Sequence, residues 1–283
     1  MVKSGSGKFS VSRKFMGAGI LPAGRLAPLT DTHCHLNLTD HFPDPAGAAD
    51  RARSVGVDRM IVVGIDDETS RIAVDLADRA AGVFACVGWH PTSAAKFTDV
   101  DVIATLCGNA RTVAIGEIGL DYHWDYSTPE EQVRSLEAHW DLACELQMPV
   151  VFHCREAYDD LLKWLSERDV FPPTCIFHCF AGTAEHAELA LNLPTSSYFG
   201  IDGPITYKNA DALRTIVAGL RVDRLLLETD APFLTPHPHR GKPNEPAMIP
   251  LVCAGLAGAL GITAEECSEI TDANSRTAFP RLV

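Results

Sequence analysis

The sequence lacks the features that would place the protein across a membrane, in a disulfide framework or on duplex DNA. No apolar run approaches the roughly 20 residues of a membrane-spanning helix. The nine cysteines are odd in number and form no C-x-x-C pair, which favours reduced thiols and a cytoplasmic protein. Lys and Arg number 24 against 37 Asp and Glu, and the net charge is −13. This balance excludes a basic duplex clamp over the whole surface, so a polyanion must bind at a local cationic pocket or through metal.

Residues 1–28 differ in composition from the rest of the chain. They hold five basic residues and no acidic one, so the remainder carries a net charge of −18, five more negative than the whole. No continuous apolar core separates these charges, so we do not expect a secretory signal. We expect a flexible or disordered leader over 1–28 and one folded domain over 29–283.

Short apolar runs recur after the leader and read as buried parallel strands. Their ends fall near His35, Gly64, His90, Glu117, His153, His178, Gly200 and Asp230. The steps between these ends have room for one helix and one strand each. Helices are predicted over 46–54, 69–81, 130–147, 156–168, 183–193 and 209–220, the third opened by a capping box from Thr128 to Glu131. Eight such repeats predict a (β/α)8 TIM-type barrel in a single domain.

A doubly wound open sheet is the alternative fold. That fold usually carries a Gly-rich phosphate turn after its first strand. In this chain His33 and His35 occupy that place.

Six residues of metal-binding types stand at or just after the predicted strand ends. They are His33, His35, Glu117, His153, His178 and Asp230. Strand ends of a barrel converge on one face, so ligands at five of them predict one metal site. His33 and His35 are two apart, which points both side chains to the same face.

The ligand types indicate the class of metal. Carboxylate and imidazole without thiolate suit Zn²⁺, Mn²⁺, Mg²⁺ or similar ions, and the sequence does not choose among them. Glu117 lies between Gly116 and Gly119, where a carboxylate can bridge two cations. Taken alone, each residue has a plainer interpretation, such as a salt-bridged acid for Glu117 or a hydrogen-bonded core histidine for His153 and His178.

Five segments resemble the signature motifs of the TatD-type metal-dependent hydrolases, namely residues 31–36, 116–122, 153–157, 228–233 and 240–246. The resemblance implies a (β/α)8 barrel, two metal ions and phosphodiester cleavage of DNA, often as a 3′→5′ exonuclease. It implies that His33, His35, Glu117 and Asp230 hold one ion, and that Glu117, His153 and His178 hold the other. Two positions depart from the family pattern: Thr92 stands where His is common, and Asn37 stands where Asp is frequent.

Further residues are candidates for catalysis and substrate binding. Asp230, beside the metal, is placed to accept a proton from water, with Glu117 as the bridging carboxylate. His90, Arg155, Lys208 and Arg240 are candidate phosphate contacts, against the alternatives of loop or surface charges. Trp89, Tyr122 and Trp124 are candidate stacking partners for bases, or packing groups of the barrel top. We therefore expect a monomeric deoxyribonuclease that prefers single strands or frayed ends.

Other functions remain open from the sequence. One is a metallo-hydrolase of another ester or amide bond, such as an aminoacyl-tRNA ester. Others are a metal-dependent nucleic-acid binder without catalysis and a metal-stabilised scaffold. The complete ligand set argues against the second, and the loop cations argue mildly against the third.

Overall fold

The computed structural model describes residues 27–282, which form eight parallel strands paired in chain order. The strands are β1 (Leu29–Cys34), β2 (Val57–Val63), β3 (Val83–Val87), β4 (Thr112–Asp121), β5 (Val150–Arg155), β6 (Thr174–Phe177), β7 (Ser196–Ile201) and β8 (Leu225–Leu227). Backbone hydrogen bonds from Asp230 N to His33 O (2.9 Å) and from His35 N to Ala231 O (2.7 Å) join the chain after β8 to β1. The barrel is thus nearly closed, which confirms the predicted fold.

Nine α-helices fall within the described residues. They are α1 (Pro45–Ser54), α2 (Asp67–Arg79), α3 (Asp101–Cys107), α4 (Pro129–Leu146), α5 (Tyr158–Ser166), α6 (Ala184–Leu191), α7 (Asp211–Gly219), α8 (Ile249–Leu260) and α9 (Ala264–Ala278). All six predicted helices are present, with ends shifted by at most two residues. At the start of α4, Thr128 and Glu131 form the predicted capping box. The proposed leader lies outside the described residues except for 27 and 28.

Three helices, α3, α8 and α9, were not predicted. The helix α3 is short and has no side-chain cap. The helix α8 is almost entirely apolar, so it shows no amphipathic period. Thr263 caps α9, with Glu266 completing its capping box. Over residues 27–282 no single helix is long and apolar enough to span a membrane, and one bent helix pair, 246–260 with 264–278, meets the requirement only when its halves are taken together.

One predicted strand end is wrong in a way that matters for the site. Glu117 does not end β4, because the strand continues to Asp121 and pairs Gly119 with His153 and Asp121 with Arg155. A Cβ on Gly119 would lie 2.0 Å from the carbonyl oxygen of His153. Only glycine permits this close approach, which lets β4 extend four residues beyond Glu117.

Two apolar clusters fill the fold. The larger packs the helices against the outside of the barrel. The smaller contains strand residues such as Ile61, Val63 and Phe84 together with Phe279 and Leu282 from the C-terminal tail. The tail therefore closes the apolar interior, while the candidate metal ligands lie at the opposite, carboxyl ends of the strands.

Candidate metal centre and active site

Four imidazoles surround the buried carboxylate of Glu117. Its Oε2 atom lies 3.0 Å from His178 Nε2, and 3.6 Å from both His33 Nε2 and His153 Nδ1. Its Oε1 atom lies 3.6 Å from His35 Nε2. These nitrogens come from β1 and the residue after it, from β5 and from the residue after β6, so barrel closure brings together groups that are far apart in sequence.

Asp230 completes the set beside the ligands of β1. Its Oδ1 atom lies 3.4 Å from His35 Nε2 and 3.8 Å from His33 Nε2. The residue has a left-handed backbone with φ 54°, and its amide donates to the carbonyl of His33. Strained backbone of this kind occurs where surrounding structure fixes a functional group.

The geometry fits divalent cations. His33 Nε2 faces His35 Nε2 at 3.3 Å, and His153 Nδ1 faces His178 Nε2 at the same distance. Within residues 27–282, Glu117 Oε2 is buried without a hydrogen-bond partner. Buried polar atoms are normally paired, and facing lone pairs with an unpaired carboxylate oxygen are the donor set of an imidazole–carboxylate metal site.

Burial and charge set the protonation of the cluster. Burial alone would raise the pKa of Glu117, but the imidazoles around it, first His90 and His178, outweigh burial and hold that pKa well below its ordinary value. Burial lowers the pKa of His33, and the neighbouring His178 lowers it further. By contrast, nearby carboxylates outweigh burial and raise the pKa values of the other three histidines, namely His35, His153 and His178. A metal ion needs the lone pair of a neutral imidazole, so its binding would release the protons that these rings hold.

Asp121 orients one of the imidazoles and was missed by the sequence analysis. Its Oδ2 atom lies 2.8 Å from His153 Nε2, while Oδ1 accepts the backbone N–H groups of His123 (2.9 Å) and Trp124 (3.0 Å). The imidazole proton is thereby held on Nε2, and Nδ1 is left to face Glu117. Asp121 is part of the motif 116–122, but the sequence alone does not reveal which imidazole its carboxylate contacts.

Glu228 plays a similar part behind His178. It is fully buried, accepts the backbone N–H of Cys179, and lies 3.6 Å from His178 Nδ1. That distance exceeds a hydrogen bond, so the contact is electrostatic. The sequence did offer a signal for Glu228, because it stands two residues before Asp230 and so lies at the same strand end.

The two departures from the family pattern have structural partners. Asn37 Nδ2 donates to Val63 O (2.9 Å) and to Thr69 O (3.0 Å). Two donated bonds need an amide, since an ionised Asp carries only acceptors. Val63 O also lies 3.0 Å from His35 Nδ1, so Asn37 helps to fix the carbonyl that orients this imidazole.

Thr92 fixes the tautomer of His90. The Thr92 backbone N–H donates to His90 Nδ1 (3.1 Å), and its hydroxyl lies 2.6 Å from the same atom. An accepting Nδ1 leaves the proton on Nε2, which points toward Glu117 at 3.9 Å. Burial lowers the pKa of His90 to about 3, so the ring is a neutral donor. His90 is therefore placed to donate a hydrogen bond into the cavity.

A cavity of about 600 Å³ opens above the candidate ligands. His90 and Arg155 line it, together with Trp124, Tyr126 and Phe233. Its volume is in the range of small-molecule and nucleotide sites. The predicted centre and two of its predicted substrate contacts therefore share one cavity.

The other predicted contacts lie elsewhere. Lys208 and Arg240 are exposed, and within residues 27–282 neither lines the cavity. The Arg240 guanidinium lies 4.0 Å from the Tyr207 ring centroid. Trp89 is buried and donates from Nε1 to Asp67, which makes it a packing group.

Known proteins are similar to this chain in sequence and in fold. Residues 30–280 match the family described as TatD-related DNase. The chain is 38% identical over 253 residues to a Bacillus subtilis (strain 168) protein named uncharacterized metal-dependent hydrolase YabD, covering 89% of this chain and 98% of that one. It is 36% identical over 236 residues to the 3′-5′ ssDNA/RNA exonuclease TatD of Klebsiella pneumoniae (strain 342), covering 81% and 89%. The crystal structure of YJJV, a TatD homolog from Escherichia coli K12, matches with a TM-score of 0.84 and 32% identity, covering 90% and 98%.

Proposed function

The chain belongs to the family of TatD-related DNases and is a metal-dependent hydrolase, and we propose that it removes nucleotides from the 3′ end of single-stranded DNA. The observation that carries the proposal is the central Glu117 carboxylate, with four imidazoles around it in a cavity that also offers a neutral donor, a cation and exposed aromatic rings. The relative named as an ssDNA/RNA exonuclease supports the substrate class and the polarity.

We assign one divalent ion to His33, His35, Glu117 and Asp230, and a second to Glu117, His153 and His178. When bound, two such ions would supply Lewis-acid chemistry, polarising a phosphodiester and lowering the pKa of water. Mg²⁺, Mn²⁺ and Zn²⁺ all suit these donors.

The protein's own groups supply the remaining functions. Asp230 has a partly exposed carboxylate, with 13% of its side chain accessible, and can accept a proton from water at its free oxygen. His90 donates from Nε2, and Arg155 presents a guanidinium from the end of β5. Both can bind non-bridging phosphate oxygens.

The preference for single strands follows from charge. A chain with a net charge of −13 cannot neutralise many phosphates of a duplex, so affinity must come from few cations, the metal ions and the bases. The monomeric state and the cytoplasmic location stay predictions.

The test uses metal-stripped protein and labelled DNA. Mg²⁺, Mn²⁺ and Zn²⁺ are added in turn to single-stranded, duplex and closed circular substrates, and to RNA of the same sequence. A 5′-labelled single strand should shorten stepwise from its 3′ end, while closed circular duplex should stay intact. Cleavage inside closed circles, or no cleavage with any metal, would contradict the proposal, and RNA cleaved faster than DNA would reassign the substrate.

A further inference from the structure

The loop that follows β4 presents two stacked aromatic rings at the mouth of the cavity. Trp124 and Tyr126 are 44% and 62% exposed. Their ring centroids are 5.6 Å apart with an interplanar angle of 10°, and both residues line the cavity of the candidate metal centre. Large apolar groups left exposed together mark a binding surface more often than chance placement does.

The loop is fixed at its base, although its tip is exposed. Gln132, which is buried, accepts the backbone N–H of Asp121 (2.8 Å) and donates to the carbonyls of Asp121 (2.9 Å) and Ser127 (3.1 Å). The Ser127 hydroxyl in turn accepts the N–H of Ala95. The two rings are therefore held in place before a ligand arrives, which reduces the entropy lost on binding.

The Asp121 carboxylate links the two rings to the candidate metal centre. Asp121 accepts the Trp124 backbone N–H with one oxygen and contacts His153 Nε2 with the other. The backbone of Trp124 is thus fixed relative to His153, which belongs to the second group of candidate ligands. A ligand that rests on the rings therefore occupies the same cavity that Glu117 and His153 line.

A cation lies beside the stack. The Arg155 guanidinium is 5.9 Å from the Trp124 ring centroid and lines the same cavity. The nearby carboxylate of Glu156 is paired with His123 at 2.8 Å. Stacked rings next to a cation are the combination that grooves for single-stranded nucleic acid use, with rings for the bases and cations for the phosphates.

We propose that Trp124 and Tyr126 form a stacking subsite for one unpaired nucleobase adjacent to the phosphodiester that is cleaved. The inference rests on the proposed function in that the substrate is a nucleic acid. A base inside a duplex is already stacked and paired, so it cannot stack on Trp124 or Tyr126. The subsite therefore selects single strands and frayed ends.

The test combines ring removal with base removal. Oligothymidylates carry a single abasic residue at one 3′-proximal position at a time, and KM is measured for each. In the unmodified protein, one abasic position should raise KM by about 5- to 150-fold, the range of base–aromatic stacking. Trp124→Ala and Tyr126→Ala should raise KM similarly on intact DNA but change it little on that abasic DNA.

Conservative and matched variants separate stacking from structure. Trp124→Phe and Tyr126→Phe keep a ring and should recover most of the affinity. Tyr122 was also a candidate stacking residue, but among the described residues it does not line the cavity, and its hydroxyl donates to Asp160. Tyr122→Ala should therefore leave the abasic effect unchanged. If Trp124→Ala weakens intact and abasic DNA equally, or if neither alanine variant raises KM, the subsite is refuted.

A binding measurement distinguishes this inference from the proposed function. An oligothymidylate with 3′-terminal phosphorothioates should quench the tryptophan fluorescence of metal-loaded protein, and Trp124→Phe should abolish most of that quenching. Quenching without cleavage under any metal would uphold the subsite and overturn the exonuclease proposal. Cleavage with a KM that does not depend on any abasic position would uphold the exonuclease proposal and overturn the subsite.

Discussion

Replacing Asp121 with Asn should weaken metal binding at the proposed second position through a change of tautomer at His153. The carboxylate accepts three donors: His153 Nε2 at 2.8 Å, and the backbone N–H groups of His123 and Trp124 at 2.9 and 3.0 Å. An Asn side chain has one oxygen and one NH₂ group. If its oxygen keeps the two amides, the NH₂ group faces His153 and moves the imidazole proton to Nδ1.

That proton would occupy the nitrogen that we assign to the second ion. His153 Nδ1 lies 3.6 Å from Glu117 Oε2 and 3.3 Å from His178 Nε2. If the amide instead turns its oxygen to His153, two backbone donors lose their acceptor, at a cost of about 1–3 kcal/mol each when buried. Either arrangement should lower the affinity of the second position by about 10- to 100-fold, the usual effect of losing such a support.

The measurement is a competitive Zn²⁺ titration against a chromophoric chelator. The tighter and weaker binding steps should separate in Asp121→Asn, with one step near its unmodified affinity. ¹⁵N chemical shifts of His153 should report the exchanged proton. Asp160→Asn is the control, since Asp160 is an exposed carboxylate that accepts the Tyr122 hydroxyl. Two unshifted binding steps in Asp121→Asn would refute the reasoning, as would an equal loss at both.

Four other changes test the remaining assignments. Asp230→Asn should keep the fold and lower kcat at saturating metal by about 10²–10⁴-fold; near-unmodified turnover would falsify the base assignment. Arg155→Ala should raise KM for DNA well above the effect of Arg240→Ala, because only the first guanidinium lines the cavity; the opposite order would move the phosphate contact to the later loop. Phe279→Ala, in the barrel interior, should lower the free energy of unfolding by about 3–5 kcal/mol in urea, and a loss below 1 kcal/mol would contradict its role as a core residue. Burial lowers the pKa of His139 to about 4. The unfolded chain therefore binds this proton more readily, and the free energy of unfolding falls as pH drops from about 6.5 to 4. Between pH 7 and 5 the unmodified protein should lose about 2 kcal/mol more than His139→Leu, and equal losses would contradict the shift.

The sequence predicts the barrel because its strands leave regular marks. Each strand contains a short apolar run, and a candidate ligand such as His153 or His178 directly follows that run. The candidate set can therefore be read from the sequence, and metal ligation by it stays a prediction. The helix before Gln147 has a complete capping signal at Thr128. By contrast, α8 has no polar face to reveal its period, and the short α3 lacks a side-chain cap.

The supporting groups could not be predicted because their roles depend on distances between separate strands. Asp121 and Glu228 are acids in recognisable motifs, but only the fold shows that one reaches His153 and the other lies behind His178. The aromatic candidates show the same limit. Trp89 and Trp124 both stand near the barrel top, yet the first is buried against helix α2 and the second is exposed in the cavity.

The length of β4 connects these features. It spans ten residues, whereas β8 spans three, and its last four residues pair with β5 only because Gly119 allows the two backbones to approach. This extension carries the chain from Glu117 to Asp121 and then directly into the aromatic loop. The proposed metal ligation at His153 and the position of Trp124 therefore depend on the Asp121 carboxylate. Asp121→Asn should weaken both the second metal and the abasic discrimination, whereas Tyr126→Ala should affect only the latter.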